Sequence, residues 1–153
     1  MDYQFEVSEP QARPALAIRT RSAASNLPKE LGKAFGTIYQ YLLEIGETAA
    51  GAAYTAYYNM DMQDLDVEIG FVVAKPLPGR DEIRASEIPG GKQVSYMYKG
   101  PYNKMEPVYQ AMTEWMAANQ YIPTGVAYEF YYNSPDQVPE TELLTKIVFP
   151  VQA

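Results

Sequence analysis

Glu129 is the residue in this chain best placed to do chemistry. The 153 residues include no histidine and no cysteine. That removes thiolate nucleophiles, Ser-His-Asp triads and histidine-based metal sites, so acid–base work falls to Asp, Glu, Tyr or Lys. Glu129 sits inside Gly125-Val-Ala-Tyr-Glu-Phe-Tyr-Tyr-Asn133, a strand-like run whose alternation puts Ala127, Tyr131 and Asn133 on its own face. A carboxylate desolvated by aromatic walls is pushed toward its neutral form, and a cation stacked on Tyr or Trp restores the charge. The plainer alternative is an edge glutamate facing water or paired with Lys146.

Glu68, in Asp66-Val-Glu-Ile-Gly70, is the second acid. It alternates with Val67, Ile69, Phe71 and Val73, and either an ion pair or a ligand contact suits it. Gly70 marks a close backbone approach or a bulge. Tyrosine supplies 14 of the chain's aromatic residues, and it couples a flat apolar ring to a hydroxyl that needs a partner. Tyr96, Tyr98, Tyr102 and Tyr131, with Tyr57, are the expected pocket tyrosines; Trp115 and Tyr41 can reach a groove from helix margins, although core packing serves both equally. Met105, Met112 and Met116 form an adaptable wall or simple helix packing. Asp61, Asp64 and Asp66 lack the spacing of a calcium loop, and no phosphate-binding glycine fingerprint occurs. No metal and no cofactor are expected.

The elements that must position these side chains occur twice. Gly51-Ala-Ala-Tyr-Thr-Ala-Tyr-Tyr-Asn59 matches the Glu129 segment at six of nine positions, 74 residues apart, and Thr55 stands where Glu129 stands. Polar turns then lead to Val67–Val73 and Thr145–Val151, in which Lys146 takes the place of Glu68. Upstream, Leu31, Ala34, Phe35, Ile38, Tyr41, Leu42 and Ile45 recur at helical spacing. Met105, Val108, Tyr109, Met112, Trp115 and Met116 keep the same 74-residue offset, aligning Phe35 with Tyr109 and Tyr41 with Trp115. Asn26 and Asn103 are the expected N-caps and Gly46 a helix stop. Strands are predicted over Ala15–Arg21 and Gln93–Lys99, with another near Tyr3–Val7. Lys75-Pro-Leu-Pro-Gly-Arg-Asp-Glu82 reads as a crossing connection.

The expected fold is α+β: duplicated βαββ units, about 1–74 and 88–153, forming a curved antiparallel sheet with two main helices on one face and a ligand groove between the halves. The whole of 1–153 is one domain, long enough to hide roughly 70% of its unfolded surface. A formal charge of −7 offers no basic footprint for nucleic acid or anionic lipid and suits cationic or neutral partners. The acidic, alternating start is unlike a secretory signal, and no run is long enough to cross a bilayer, so a cytoplasmic location is expected.

Asp66-Val-Glu-Ile-Gly-Phe-Val-Val73, Gly100-Pro-Tyr102, Ala127-Tyr-Glu-Phe-Tyr131 and Glu142-Leu-Leu-Thr-Lys-Ile-Val-Phe-Pro-Val151, in that order and across nearly the whole chain, resemble the gyrase-inhibitor-like (GyrI-like) domain. That domain also serves as the effector-binding domain of multidrug-sensing transcription regulators. The resemblance implies an aromatic-lined small-molecule groove with an acidic residue, which maps onto Glu129, and drug-like ligands that are often cationic and lipophilic. Lys146 departs from the pattern, since relatives commonly carry an acid there.

The leading expectation is a stand-alone module that senses or sequesters lipophilic, cationic or neutral aromatic molecules. The alternatives are a hydrolase of electrophilic small molecules with Glu129 as general base and a Tyr hydroxyl polarising the substrate, and a protein-interaction role such as topoisomerase inhibition.

Overall fold

The computed structural model describes residues 3–152. The chain is α+β and divides into two compact units. The first is Gln11–Gly90, and the second joins the residues up to Pro10 with those from Gly91 onward.

The first unit holds β2 (Arg13–Ser22), α1 (Leu27–Glu44), β3 (Ala53–Tyr57), β4 (Leu65–Val72) and β5 (Arg84–Ile88). Its strands lie in the order β3-β4-β2-β5, each pair antiparallel. The second unit holds β1 (Glu6–Ser8), β6 (Gln93–Lys99), α2 (Glu106–Ala118), β7 (Ala127–Tyr131) and β8 (Leu144–Pro150). There the order is β7-β8-β6-β1, again antiparallel. Strand β5 falls beyond the expected crossing connection. Its sequence, Arg-Ala-Ser-Glu-Ile, lacks the apolar alternation that announces a strand, because it pairs only with β2 and only Ile88 of its five residues is fully buried.

Helix α1 buries Leu27, Ala34, Ile38, Tyr41 and Leu42 against Leu16, Ile18, Val67 and Ile69 of its sheet. Each large aliphatic side chain so buried contributes about 1.5–3 kcal/mol. The helix ends where Gly46, at φ 71°, turns into the left-handed region; its N–H donates to the Leu43 carbonyl and that of Glu47 to Leu42, a Schellman closure. Helix α2 closes in the same way, with Tyr121 N–H donating to the Met116 carbonyl and Gln120 N–H to Ala117. Here the left-handed residue is Gln120, at φ 63°. Val108, Met112 and Met116 of α2 pack with Val94, Ile147 and Val151.

The helix starts differ from expectation. Asn26 precedes α1, but its side chain makes no capping bond and instead lies 3.5 Å from Glu30. Asn103 falls in a short helical turn, and α2 begins at Glu106. Pro107 explains the shift: a start at Asn103 would put this proline, which has no N–H, at the first position needing an intrahelical bond.

Both hairpins are clasped by an asparagine. Asn59 donates to the Asp64 carbonyl at 3.0 Å and accepts from Asp66 N–H at 2.9 Å. Asn133 donates to the Glu142 carbonyl at 3.1 Å and accepts from Leu144 N–H at 2.8 Å. Gly70 permits the close approach read from the sequence, since a Cβ there would lie 2.3 Å from the Leu16 carbonyl oxygen. No described helix is long and apolar enough to cross a membrane.

Candidate functional site

The second unit assembles an acid and several tyrosines on one face of its sheet. Register places Glu129 beside Ile147 and Tyr131 beside Thr145, while Tyr96 and Tyr98 flank the same two β8 residues from the other side. Ile147 belongs to the core under α2, so this is the helix-covered face. From α2, Tyr109 reaches down and donates its hydroxyl to Glu129 Oε2. Tyr131 donates to Glu129 Oε1 at 2.9 Å. Both oxygens of the half-buried carboxylate therefore accept phenol hydrogens, the arrangement a negative group needs when water is scarce. Lys146 is paired in register with Met97 and Phe130, on the opposite face from Glu129.

Each of the two donor rings packs against a further aromatic ring. Tyr102 meets Tyr131 edge-on at 5.9 Å, and Tyr109 meets Phe149 edge-on at 5.7 Å. Tyr102 is positioned by the Gly100-Pro101-Tyr102 turn, where Tyr98 donates its hydroxyl to the Pro101 carbonyl at 2.8 Å. Gly100 has φ 144°, and a Cβ there would meet the Tyr98 hydroxyl at 2.8 Å. Burial, and after it the charge of Glu129, raises the Tyr102 phenol above its ordinary range. Burial likewise raises Tyr98, with Tyr3 adding to it. Beyond Tyr102 lies a cavity of about 460 Å³ lined by Asn103, Pro135, Val138, Pro139, Glu140 and Leu143.

The remaining candidates fall elsewhere. Trp115 stacks on Tyr121 at 5.6 Å and meets Phe5 edge-on, while Tyr96 contacts Tyr3 and Phe5. These rings form a second aromatic cluster in the same unit. Tyr41 is buried in the core of the first unit, donating its hydroxyl to the Pro78 carbonyl at 2.7 Å, and Tyr57 packs against that core. Glu68 lies on the face of its sheet away from α1, accepting from Tyr54 at 2.7 Å and Ser86 at 3.1 Å. Among the described residues no cluster of acids that could hold a metal ion occurs.

Two contributors leave little trace in the sequence. Tyr109 falls in the apolar stripe of its helix, and the only hint of more is its alignment with Phe35. Thr145 reads as an ordinary strand residue, yet it lies directly across from both Tyr98 and Tyr131.

Comparison with solved structures agrees with this architecture. The C-terminal domain of EcmrR superposes with a TM-score of 0.87 at 24% identity, covering 99% of each chain. The EcmrR chain in its complex with DNA matches at TM-score 0.86 and 23% identity; the match covers 98% of the present chain but only 57% of that one. SAV2435, solved bound to tetraphenylphosphonium, matches at TM-score 0.66 and 10% identity, with 100% of this chain and 95% of that chain covered. At these identities the likeness is one of fold. A search of curated proteins found no match. The family model for the GyrI-like small molecule binding domain matches residues 1–152, so the chain belongs to the GyrI-like family.

Proposed function

We propose that this chain binds lipophilic small molecules, aromatic cations and neutral aromatics, at the Glu129 corner of its second unit, in the service of sensing or sequestration. One observation carries the reading: a half-buried carboxylate with both oxygens held by phenols, on the helix-covered face, whose two donor rings each pack against a further aromatic ring. A cation arriving there exchanges water for π faces and a fixed negative charge. The net charge of −7 favours the approach of such ligands. The cavity next to Tyr102 gives their apolar parts a place to go. SAV2435, bound to a lipophilic phosphonium cation on the same fold, adds support. Sensing would require coupling to a DNA-binding element; sequestration would not.

Hydrolysis is less well supported. Two phenol hydrogen bonds on the carboxylate stabilise its charged form and weaken it as a base toward water.

Titration with tetraphenylphosphonium, followed through Trp115 fluorescence, tests the proposal. Glu129→Gln is expected to weaken binding about tenfold or more, and Tyr109→Phe to weaken it by a smaller factor. Equal affinity in wild type and Glu129→Gln would refute the electrostatic part.

A further inference from the structure

The second unit contains a buried hydroxyl that its own fold does not use. Thr145 is fully shielded from solvent, and its Oγ1 has no hydrogen-bond partner among the described residues. An unpaired hydroxyl in such a place works against stability. Its position is not arbitrary: on β8 it lies between Tyr98 and Tyr131, on the same face as Glu129, forming the floor beneath two tyrosines of the site.

The first unit shows what packing alone asks for. In its sheet the corresponding residue is Val67, flanked by Thr20 and Tyr57 and likewise fully buried. Valine has nearly the shape of threonine without the hydroxyl, so the core is filled equally well without the polar atom. The second unit differs at three places in this corner: the Glu129 carboxylate where the first has the Thr55 hydroxyl, and two added hydroxyls, that of Tyr109 where it has Phe35 and that of Thr145 where it has Val67. The first two satisfy each other; the third is left over.

We infer that Thr145 Oγ1 is a ligand contact. It takes a hydrogen bond from, or gives one to, a polar atom that the bound molecule carries inboard of the charge received by Glu129. Resting on the reading of Glu129 as the ligand acid, this narrows the ligand class from any lipophilic cation to aromatic molecules bearing an amine, ether or carbonyl group. Access requires the half-buried rings of Tyr98 and Tyr131 to part, and the Tyr131 hydrogen bond to Glu129 is the contact exchanged.

Two probes separate the possibilities. Rhodamine 6G carries secondary amines and an ester, whereas tetraphenylphosphonium has no hydrogen-bonding group. Thr145→Val is expected to weaken rhodamine 6G binding about fivefold, to leave the phosphonium affinity within about twofold, and to raise the thermal unfolding midpoint by about 2–4 °C. An unchanged rhodamine affinity, an equal loss for both probes, or a lowered midpoint would each overturn the inference. Glu129→Gln run in parallel separates the two layers. If it weakens both probes while Thr145→Val changes neither, the inference alone fails; a wild-type protein that takes up neither probe sinks the functional reading and the inference together.

Discussion

In the first unit the corner where helix meets sheet is filled by Phe35, Thr55, Tyr57 and Phe71; in the second the matching corner holds Tyr109, Glu129, Tyr131 and Phe149. The ring contacts barely differ: Phe35 and Phe71 meet edge-on at 5.4 Å, Tyr109 and Phe149 at 5.7 Å. Thr55 is fully buried, while Glu129 is only partly so. The scaffold of such a corner therefore needs no charge. The acid and the Tyr109 phenol stand where the first unit has Thr55 and Phe35, while Tyr131 keeps a phenol counterpart in Tyr57, the pattern expected where function rather than folding selects a residue.

That contrast can be broken most forcefully by moving the acid. Thr55→Glu puts a carboxylate at a fully buried site, and it should destabilise the protein by about 3–5 kcal/mol in chemical denaturation. Adding Phe35→Tyr supplies the missing donor and should recover about 1.5 kcal/mol. A Thr55→Glu variant as stable as its parent would mean that the phenols around Glu129 are not what makes an acid tolerable there.

A finer test reads the field of Glu129 directly. Tyr102 is held neutral above the ordinary phenol range, first by burial and then by the Glu129 charge. With the folded value raised, the associated stability is complete below about pH 10 and is lost as pH climbs through the raised value. Glu129→Gln removes only the second cause, so the Tyr102 midpoint, followed by NMR of ring-labelled tyrosine, should fall without reaching that of a free phenol. A midpoint that does not move would place Tyr102 outside the reach of that charge.

The smallest effect is expected at the helix ends. Gly46 and Gln120 occupy the same left-handed position after α1 and α2. Gln120→Gly should relieve strain and raise stability by about 0.5–1 kcal/mol, less whatever the freer unfolded chain takes back. A loss of stability would show that the Gln120 side chain matters more than its backbone.

The layout of strands and helices was readable because apolar residues recur at periods of two and 3.6 along both halves, and Glu129 was conspicuous as a charge in mid-strand. Other features left weaker traces. Strand β5 is polar because it lies at the end of its unit's strand order. The start of α2 depends on one proline's missing donor, which a capping pattern centred on Asn103 overlooks. Tyr109 differs from Phe35 by a single oxygen, and Thr145 from Val67 by replacement of a methyl with a hydroxyl. Differences that small carry meaning only once the register shows which atoms meet.

The asparagine clasps at Asn59 and Asn133 have an implication for how such a protein diversifies. Because a side-chain amide ties each hairpin shut at its base, the span beyond the knot is relieved of setting the pairing of the strands. Its length is then free to drift: β3 and β4 are joined by a short tip, while β7 and β8 are joined by a longer one that brings Pro135, Val138 and Pro139 to the cavity wall. The tip from Ser134 to Thr141 can thus change in length and shape, and reshape that cavity wall, without disturbing the sheet beneath.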